Sequence, residues 1–335
     1  MILKIVKFCS YINTIMRKSI DWLKDEKDYR DLGLTWIAHG NAGNFIETHQ
    51  SYNKKSEWLY GSPDVLDSYN KTIKAGIPKY WRYHKEKIIY DMNSDGFRTI
   101  EFDKVDWKNS YVIIGCSHIQ GIGNPYKETI GEYISRKLSA PVINLGVGGL
   151  SNQAIYNNLI KQITTYGKAK GYFIMWTYPW RYTDMGRYYM QEGYKDIWAR
   201  GDGVPELTSN KKFTDDFIND LMWKRNIVWH STKMLLQGTP TSYIWEPHCW
   251  ALEDEGDIMI PIRFPTRSNF TSHKTTIHGV PWKNQSDEYK EWYLNNICAR
   301  DIMRYDPKTG PHGSHWGPAV NVQIAKYFMD NLSNE

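Results

Sequence analysis

The chain has only four cysteines in 335 residues (Cys9, Cys116, Cys249 and Cys298), and no two of them form a CxxC pair. That scatter predicts neither a disulfide framework nor a zinc knuckle. Long apolar runs are missing too: no stretch approaches the roughly 18 uninterrupted apolar residues that a membrane span needs. The opening segment, MILKIVKFCSYINTIMRKSIDWLK, does not read as a signal peptide, because Lys4 and Lys7 interrupt its apolar run. Its apolar residues Ile2, Ile5, Cys9, Ile12, Met16, Ile20 and Leu23 recur at helical spacing and predict an amphipathic helix docked on this or a partner chain. Nor is there a strong excess of one charge. Lys and Arg number 42 against 37 Asp and Glu, a balance of +5 that falls short of a nucleic-acid footprint. There is no internal repeat, no G-x-G-x-x-G and no Walker lysine. The compartment stays unknown; with no signal peptide or membrane span, the expectation is the cytoplasm, or a virion if a virus encodes the chain, and no nucleic-acid partner is expected.

What is abundant is aromatic: 15 Trp, 24 Tyr and 10 Phe. Trp and Tyr join a broad apolar face to a polar tip, so they serve cores, clefts and contact surfaces alike. Residues 1–106 are polar and aromatic-rich, with turn signals at His39–Gly43, at Gly61-Ser62-Pro63 and at Asn93-Ser94-Asp95-Gly96. They read as a helix followed by an irregular extension. From about 107 short apolar runs alternate with helical stretches, the pattern of βαβ units around a parallel sheet. Strands are expected at Tyr111–Ile114, Pro141–Leu145, Gly171–Thr177 and Thr241–Trp245. Helices are expected at Glu128–Leu138, Asn152–Tyr166, from Thr214 to about Leu236, and at about 285–300 and 318–332. Residues 181–212 read as an excursion and 247–283 as loop, so 107–335 forms an α/β domain with an insertion at about 181–283.

Three segments carry residues suited to chemistry. In Val112-Ile113-Ile114-Gly115-Cys116-Ser117-His118, a serine follows a buried strand, where open α/β sheets place their ligand crevice. Amides at the start of a following helix would favour negative charge there. A serine that merely caps a turn is the competing reading, and Ile119 excludes the G-x-S-x-G elbow. In Asn144-Leu145-Gly146-Val147-Gly148-Gly149-Leu150-Ser151-Asn152, glycines follow the second strand and would let a backbone amide approach a reacting atom. A tight strand-to-helix turn explains them as well. In Gly310-Pro311-His312-Gly313-Ser314-His315-Trp316-Gly317-Pro318, a histidine before the last helix could act as general base. It could equally cap that helix, or join His312 with His248 or Cys249 around a metal.

In order and spacing the three segments resemble the SGNH (GDSL-like) hydrolase superfamily. Its Gly-Asp-Ser block reads Gly115-Cys116-Ser117 here, with Cys for Asp. The Gly-Cys-Ser form is similar to that of SGNH-like proteins of bacteria and their viruses. Some of those also carry Asn-Ser-x-Gly-Phe-Arg upstream, present here as Asn93-Ser94-Asp95-Gly96-Phe97-Arg98. The second block matches Asn144 to Gly149, and the final block aligns its His on His315, with Gly317, Asn321 and Ala325 at small or capping positions. The resemblance covers about 107–180 and 296–330. It implies a three-layer, flavodoxin-like α/β sheet of mainly parallel strands, and a serine esterase needing no metal or other cofactor. Ser117 would be the nucleophile and His315 the base, with an oxyanion site from the amides of Ser117 and Gly149. The substrate would be an acyl ester, acetyl foremost, on a small molecule or a carbohydrate. His118, Asn152, Trp176, Arg181 and Trp316 would line its binding site.

Two departures stand out. The third block normally brings an Asn to the oxyanion, but the strand here ends Met175-Trp176-Thr177-Tyr178-Pro179-Trp180-Arg181. Thr177, Tyr178 or Arg181 would have to donate, and Thr177 is the first choice. The acid three residues before the catalytic His is replaced by His312, leaving Asp306, or secondarily Asp301, to orient His315. The rival reading is a catalytically weak or inactive SGNH-like protein kept as a virus structural or carbohydrate-binding component. Assembly as a homo-oligomer or within a virion stays open.

Overall fold

The computed structural model describes Trp36 and residues 55–59, 62–177, 215–245, 276–277 and 280–333, with the backbone alone at 215–222, 276–277 and 280–281. Trp36–Glu335 forms one unit, and Met1–Thr35 is a separate one outside the described residues. Outside them as well lie the expected amphipathic helix, the His39–Gly43 turn, Gly61, the 181–212 excursion, and Tyr178, Arg181, His248, Cys9 and Cys249.

The chain first forms helix α1 (Leu66–Lys74), then strand β1 (Tyr111–Ile114), the four-residue helix α2 (Ser117–Gln120) and helix α3 (Ile130–Leu138). Strand β2 (Val142–Asn144), helix α4 (Asn152–Tyr166) and strand β3 (Gly171–Trp176) follow. After them come helix α5 (Asp215–Leu236), strand β4 (Thr241–Trp245), helix α6 (Asp287–Asn296) and helix α7 (Pro318–Asp330). The order within the sheet is β2-β1-β3-β4 and every pairing is parallel. The fold is thus a three-layer α/β sandwich of the doubly wound, flavodoxin-like kind.

Strand alternation distributes the core between the two faces. Val112, Ile114, Tyr172, Ile174 and Trp176 pack with Ile155 and Leu159 of α4 and Trp229 of α5. Ile113, Phe173 and Met175 pack with Ile134 of α3 and Ile324 and Phe328 of α7. With helices on both faces the strands read as unbroken apolar runs, as buried parallel strands should. Helix starts follow local chemistry. Thr129 Oγ1 accepts from Glu132 N at 3.4 Å, which moves the expected start of α3 from Glu128 to Ile130. Ser151 Oγ accepts from Ala154 N at 3.2 Å, and Pro318 opens α7 where its missing amide costs nothing.

Residues 62–106 are more ordered than an irregular extension. Leu59, Ile77, Trp81, Tyr83, Ile88 and Tyr90 form a third core with Trp282, Tyr293, Leu294 and Ile302. The Asn93–Gly96 turn forms as expected: Asn93 Oδ1 accepts from Asp95 N (3.1 Å) and Phe97 N (2.9 Å), and Gly96 takes φ +83°. Arg304–Asp306 and Gly310–His312 pair as an antiparallel hairpin in the stretch before α7, to which the sequence assigned no element. Among the described residues no helix is long and apolar enough to cross a membrane.

Candidate active site

β1 pairs with β2 on one side and β3 on the other, so the chain switches direction across the sheet at β1. Ligand crevices of doubly wound sheets open beyond the C-terminal strand ends at such a switch. Ser117 follows β1 there. Cys116, fully buried, is the N-cap residue of α2, and Ser117 is its first helical residue. The turn needs glycine before it: a Cβ on Gly115 would lie 2.6 Å from Ile119 Cγ1 and 2.9 Å from the Met175 carbonyl. Gly121 ends α2 at φ +75°. Ser117 is therefore held on a sharp strand-to-helix corner.

His315 lies just before α7 and is 8% exposed. Its backbone N–H donates to Asp301 Oδ1 at 3.0 Å, and its Nδ1 is paired with Asp301 Oδ2. The carboxylate thus grips one residue at two points and fixes the Nδ1–H tautomer, leaving Nε2 as the acceptor nitrogen. The His315 ring meets His118, the residue after Ser117, edge-to-face with centroids 4.9 Å apart. Asp306 does not take this part. It sits partly exposed in the hairpin, where Lys308 N donates to its Oδ1 at 2.7 Å and holds its carboxyl below the usual carboxylate range. The carboxylate paired with His315 is that of Asp301, the second candidate from sequence, and it reaches His315 because Ala299 N bonds the His315 carbonyl (3.0 Å) and Met303 N the Gly313 carbonyl (2.9 Å).

The glycine turn after β2 lies against α2. A Cβ on Gly146 would come within 2.5 Å of Gln120 N, so only glycine permits this approach. Asn144 ties the two segments: its Nδ2 donates to Ile119 O (2.7 Å) and its Oδ1 accepts from Gly146 N (2.8 Å). Gln120, fully buried, accepts from Gly148 N at 2.7 Å through Oε1. Gly149 comes next, at φ +78°. Gln120 was not apparent as a site residue from sequence, since nothing in its own segment points to the second turn.

Thr177 and Asn152 are brought together with each other. Asn152 Nδ2 donates to Thr177 O (3.0 Å) while Asn152 Oδ1 accepts from Thr177 N (2.8 Å). Both are buried, and the Thr177 amide is committed to this clamp between α4 and β3. The Thr177 backbone N–H is therefore engaged with Asn152, and both ends of the Asn152 side-chain amide are engaged within the fold. The expectation for Trp176 is corrected. It is fully buried, packed among Trp245 at 6.0 Å and Trp229 at 6.3 Å, because period-two alternation turns it into the same core as Tyr172 and Ile174. His118 and Trp316 do lie together, their rings stacked with centroids 3.7 Å apart, beside His315.

No family model and no curated protein matches the chain. A solved structure of a Desulfitobacterium hafniense DCB-2 protein assigned to the lipolytic G-D-S-L family is similar over 42% of this chain and 61% of that one, under two thirds of its length. Identity is 13% and the TM-score 0.25, so the functional reading rests on the site itself.

The histidines weighed for a metal have separate partners. His312 Nε2 lies 2.8 Å from Thr309 Oγ1, and His315 is held by Asp301. Among the described residues no group of three or more His, Cys, Asp or Glu side chains converges.

Proposed function

We propose that this chain is a serine hydrolase acting on esters, with Ser117 as nucleophile, His315 as general base and Asp301 as the acid that orients it. One observation carries the reading: the buried Asp301–His315 pair, whose imidazole packs against the residue next to Ser117. In the first step His315 Nε2 takes the Ser117 hydroxyl proton as Oγ attacks the ester carbonyl. The tetrahedral oxyanion is held by the amides of Ser117 and Gly149. His315 then returns the proton to the leaving alcohol, and water repeats the sequence on the acyl-enzyme. Asp301 stays ionised throughout and stabilises the imidazolium. We infer a two-amide oxyanion site, since the Thr177 amide is committed to Asn152. Each such donor is worth about a hundred- to a thousandfold in rate, so turnover should be modest.

For substrate we infer a small acyl ester, acetyl first, carried on a sugar or similar polyol. His118, half-buried beside His315 and backed by the core residue Trp316, offers a ring of the kind that packs on sugar faces. The inactive reading loses one of its two supports, since Asp301 occupies the place of the acid missing at His312. The test is hydrolysis of 4-nitrophenyl acetate and of acetylated xylan or chitin fragments by the wild type, by Ser117→Ala and by a chelator-treated sample. Turnover that depends on Ser117 and resists chelation supports the proposal. No turnover on any ester refutes it, and chelator-sensitive turnover moves the chemistry to a metal.

A further inference from the structure

We propose that the segment before the sheet is part of the catalytic apparatus, with Asp64 and Tyr90 as positioning residues for the Asp301–His315 pair. Gly123, in the loop that follows α2, is where the pieces meet. Its N–H donates to Tyr90 Oη at 2.8 Å, and its carbonyl accepts from Arg300 N at 2.8 Å. A Cβ there would lie 2.7 Å from Asp301 Oδ1, and φ is +74°, so the serine loop and the acid-bearing loop touch backbone to side chain.

Both flanks of this contact are held from the N-terminal segment. Tyr90 Oη donates to Asp64 Oδ2. Asp64 receives Arg300 in a fork, Nε on Oδ1 and Nη2 on Oδ2, each at 2.9 Å. Arg300 precedes Asp301 directly in the chain. The guanidinium also donates to the Glu57 carbonyl at 2.6 Å and lies 4.1 Å over the Trp58 ring. Thr72 of α1 donates to the Ile302 carbonyl at 3.0 Å, fixing the residue on the far side of Asp301. On the serine flank, Arg98 donates to the carbonyls of Gly121 (2.7 Å), Asn124 (3.0 Å) and Ile89 (3.1 Å). The Asn-Ser-x-Gly-Phe-Arg stretch thereby ends in a residue that grips the serine loop.

A buried, bidentate ion pair is a costly way to gain stability, because two charges must leave water. It is an effective way to fix a direction, since the fork matches the carboxylate in only one plane. Asp64, Arg300 and Tyr90 are all nearly fully buried and share one hydrogen-bonded chain that ends at Gly123 on one side and, on the other, at Arg300, the residue before Asp301. This chain sets where Asp301 stands relative to Ser117.

The inference rests on the hydrolase reading only for its kinetic arm, so the experiment has two. The full chain, Tyr90→Phe, Asp64→Asn and the control Ile77→Val are compared. Ile77 lies in the same core but makes none of these hydrogen bonds. In the first arm, the downfield proton resonance of His315 Nδ1–H is followed by NMR. Tyr90→Phe should shift or broaden that resonance, while Ile77→Val leaves it in place. In the second arm, Tyr90→Phe should lower kcat about 10- to 100-fold with KM within about twofold, the signature of a displaced catalytic group. Asp64→Glu should restore part of what Asp64→Asn loses. An unchanged His315 resonance in folded Tyr90→Phe overturns the proposal whatever the turnover. A shifted resonance in a wild type that hydrolyses no ester leaves the positioning chain standing and removes only the esterase.

Discussion

Replacing Asp301 by Asn keeps a side chain of the same size between Gly123 and His315 and removes one property, the ability to accept at both oxygens. In the native site Oδ1 accepts from the His315 backbone N–H at 3.0 Å and Oδ2 from the ring at Nδ1. The amide oxygen of Asn can keep the backbone bond. Its Nδ2 must then face the ring as a donor, which stabilises the tautomer carrying hydrogen on Nε2. That tautomer has no lone pair at Nε2 with which to take the Ser117 proton in the proposed reaction. In triad enzymes the corresponding change lowers kcat about ten-thousandfold, which at about 1.36 kcal/mol per factor of ten is about 5.4 kcal/mol of lost transition-state stabilisation. Steady-state hydrolysis of 4-nitrophenyl acetate should therefore show kcat reduced about ten-thousandfold with KM little changed. Asp306→Asn, at a carboxylate that bonds only its own turn, should stay within about twofold of wild type. Thermal unfolding checks that both variants fold. Asp301→Asn retaining more than a tenth of wild-type kcat, or Asp306→Asn losing as much as Asp301→Asn, would refute the assignment of the acid.

Two further outcomes probe the elements around the site. Trp176→Ala should cost about 3–5 kcal/mol in urea denaturation, as removal of a fully buried indole does, with KM unaltered once the sample is folded; unchanged stability with a raised KM would mean that the indole contacts substrate after all. Gly146→Ala should destabilise by about 1–3 kcal/mol or more, because the added methyl would lie 2.5 Å from Gln120 N. It should also lower kcat through the displaced glycine turn, so a variant with wild-type stability and rate would count against the close packing of the two loops.

The sheet and the places of Ser117 and His315 were legible because local pattern determines them. Val112-Ile113-Ile114 can only be a buried strand beside a glycine corner, and Pro318 marks the start of a helix just after His315. The acid was legible only as a second choice behind Asp306. It is 14 residues from His315 in sequence, and its approach depends on backbone bonds across the neck of a hairpin that no spacing encodes. Asp306 is nearer in sequence, yet the hairpin carries it away. Trp176 shows a different failure. Its alternation with Tyr172 and Ile174 pointed to the core, but the abundance of aromatic residues favoured a binding surface instead. The partners of Gln120 and Asn152 lie on neighbouring segments of the sheet edge, and such lateral contacts leave no trace in a linear pattern.

The neck of that hairpin separates two jobs that many catalytic loops must combine. Ala299 and Met303 on one side are stitched to His315 and Gly313 on the other, so Asp301 is set against the imidazole at the base. The arm beyond, from Arg304 to His312, leans on the third core, where Tyr305 is buried and Gly310 packs against Trp282, but its tip at Pro307 and Lys308 is exposed. That tip can therefore drift, or be replaced with an element of another shape, while the Asp301–His315 pairing stays constant. A chain built this way can change what it binds without having to rediscover how to react.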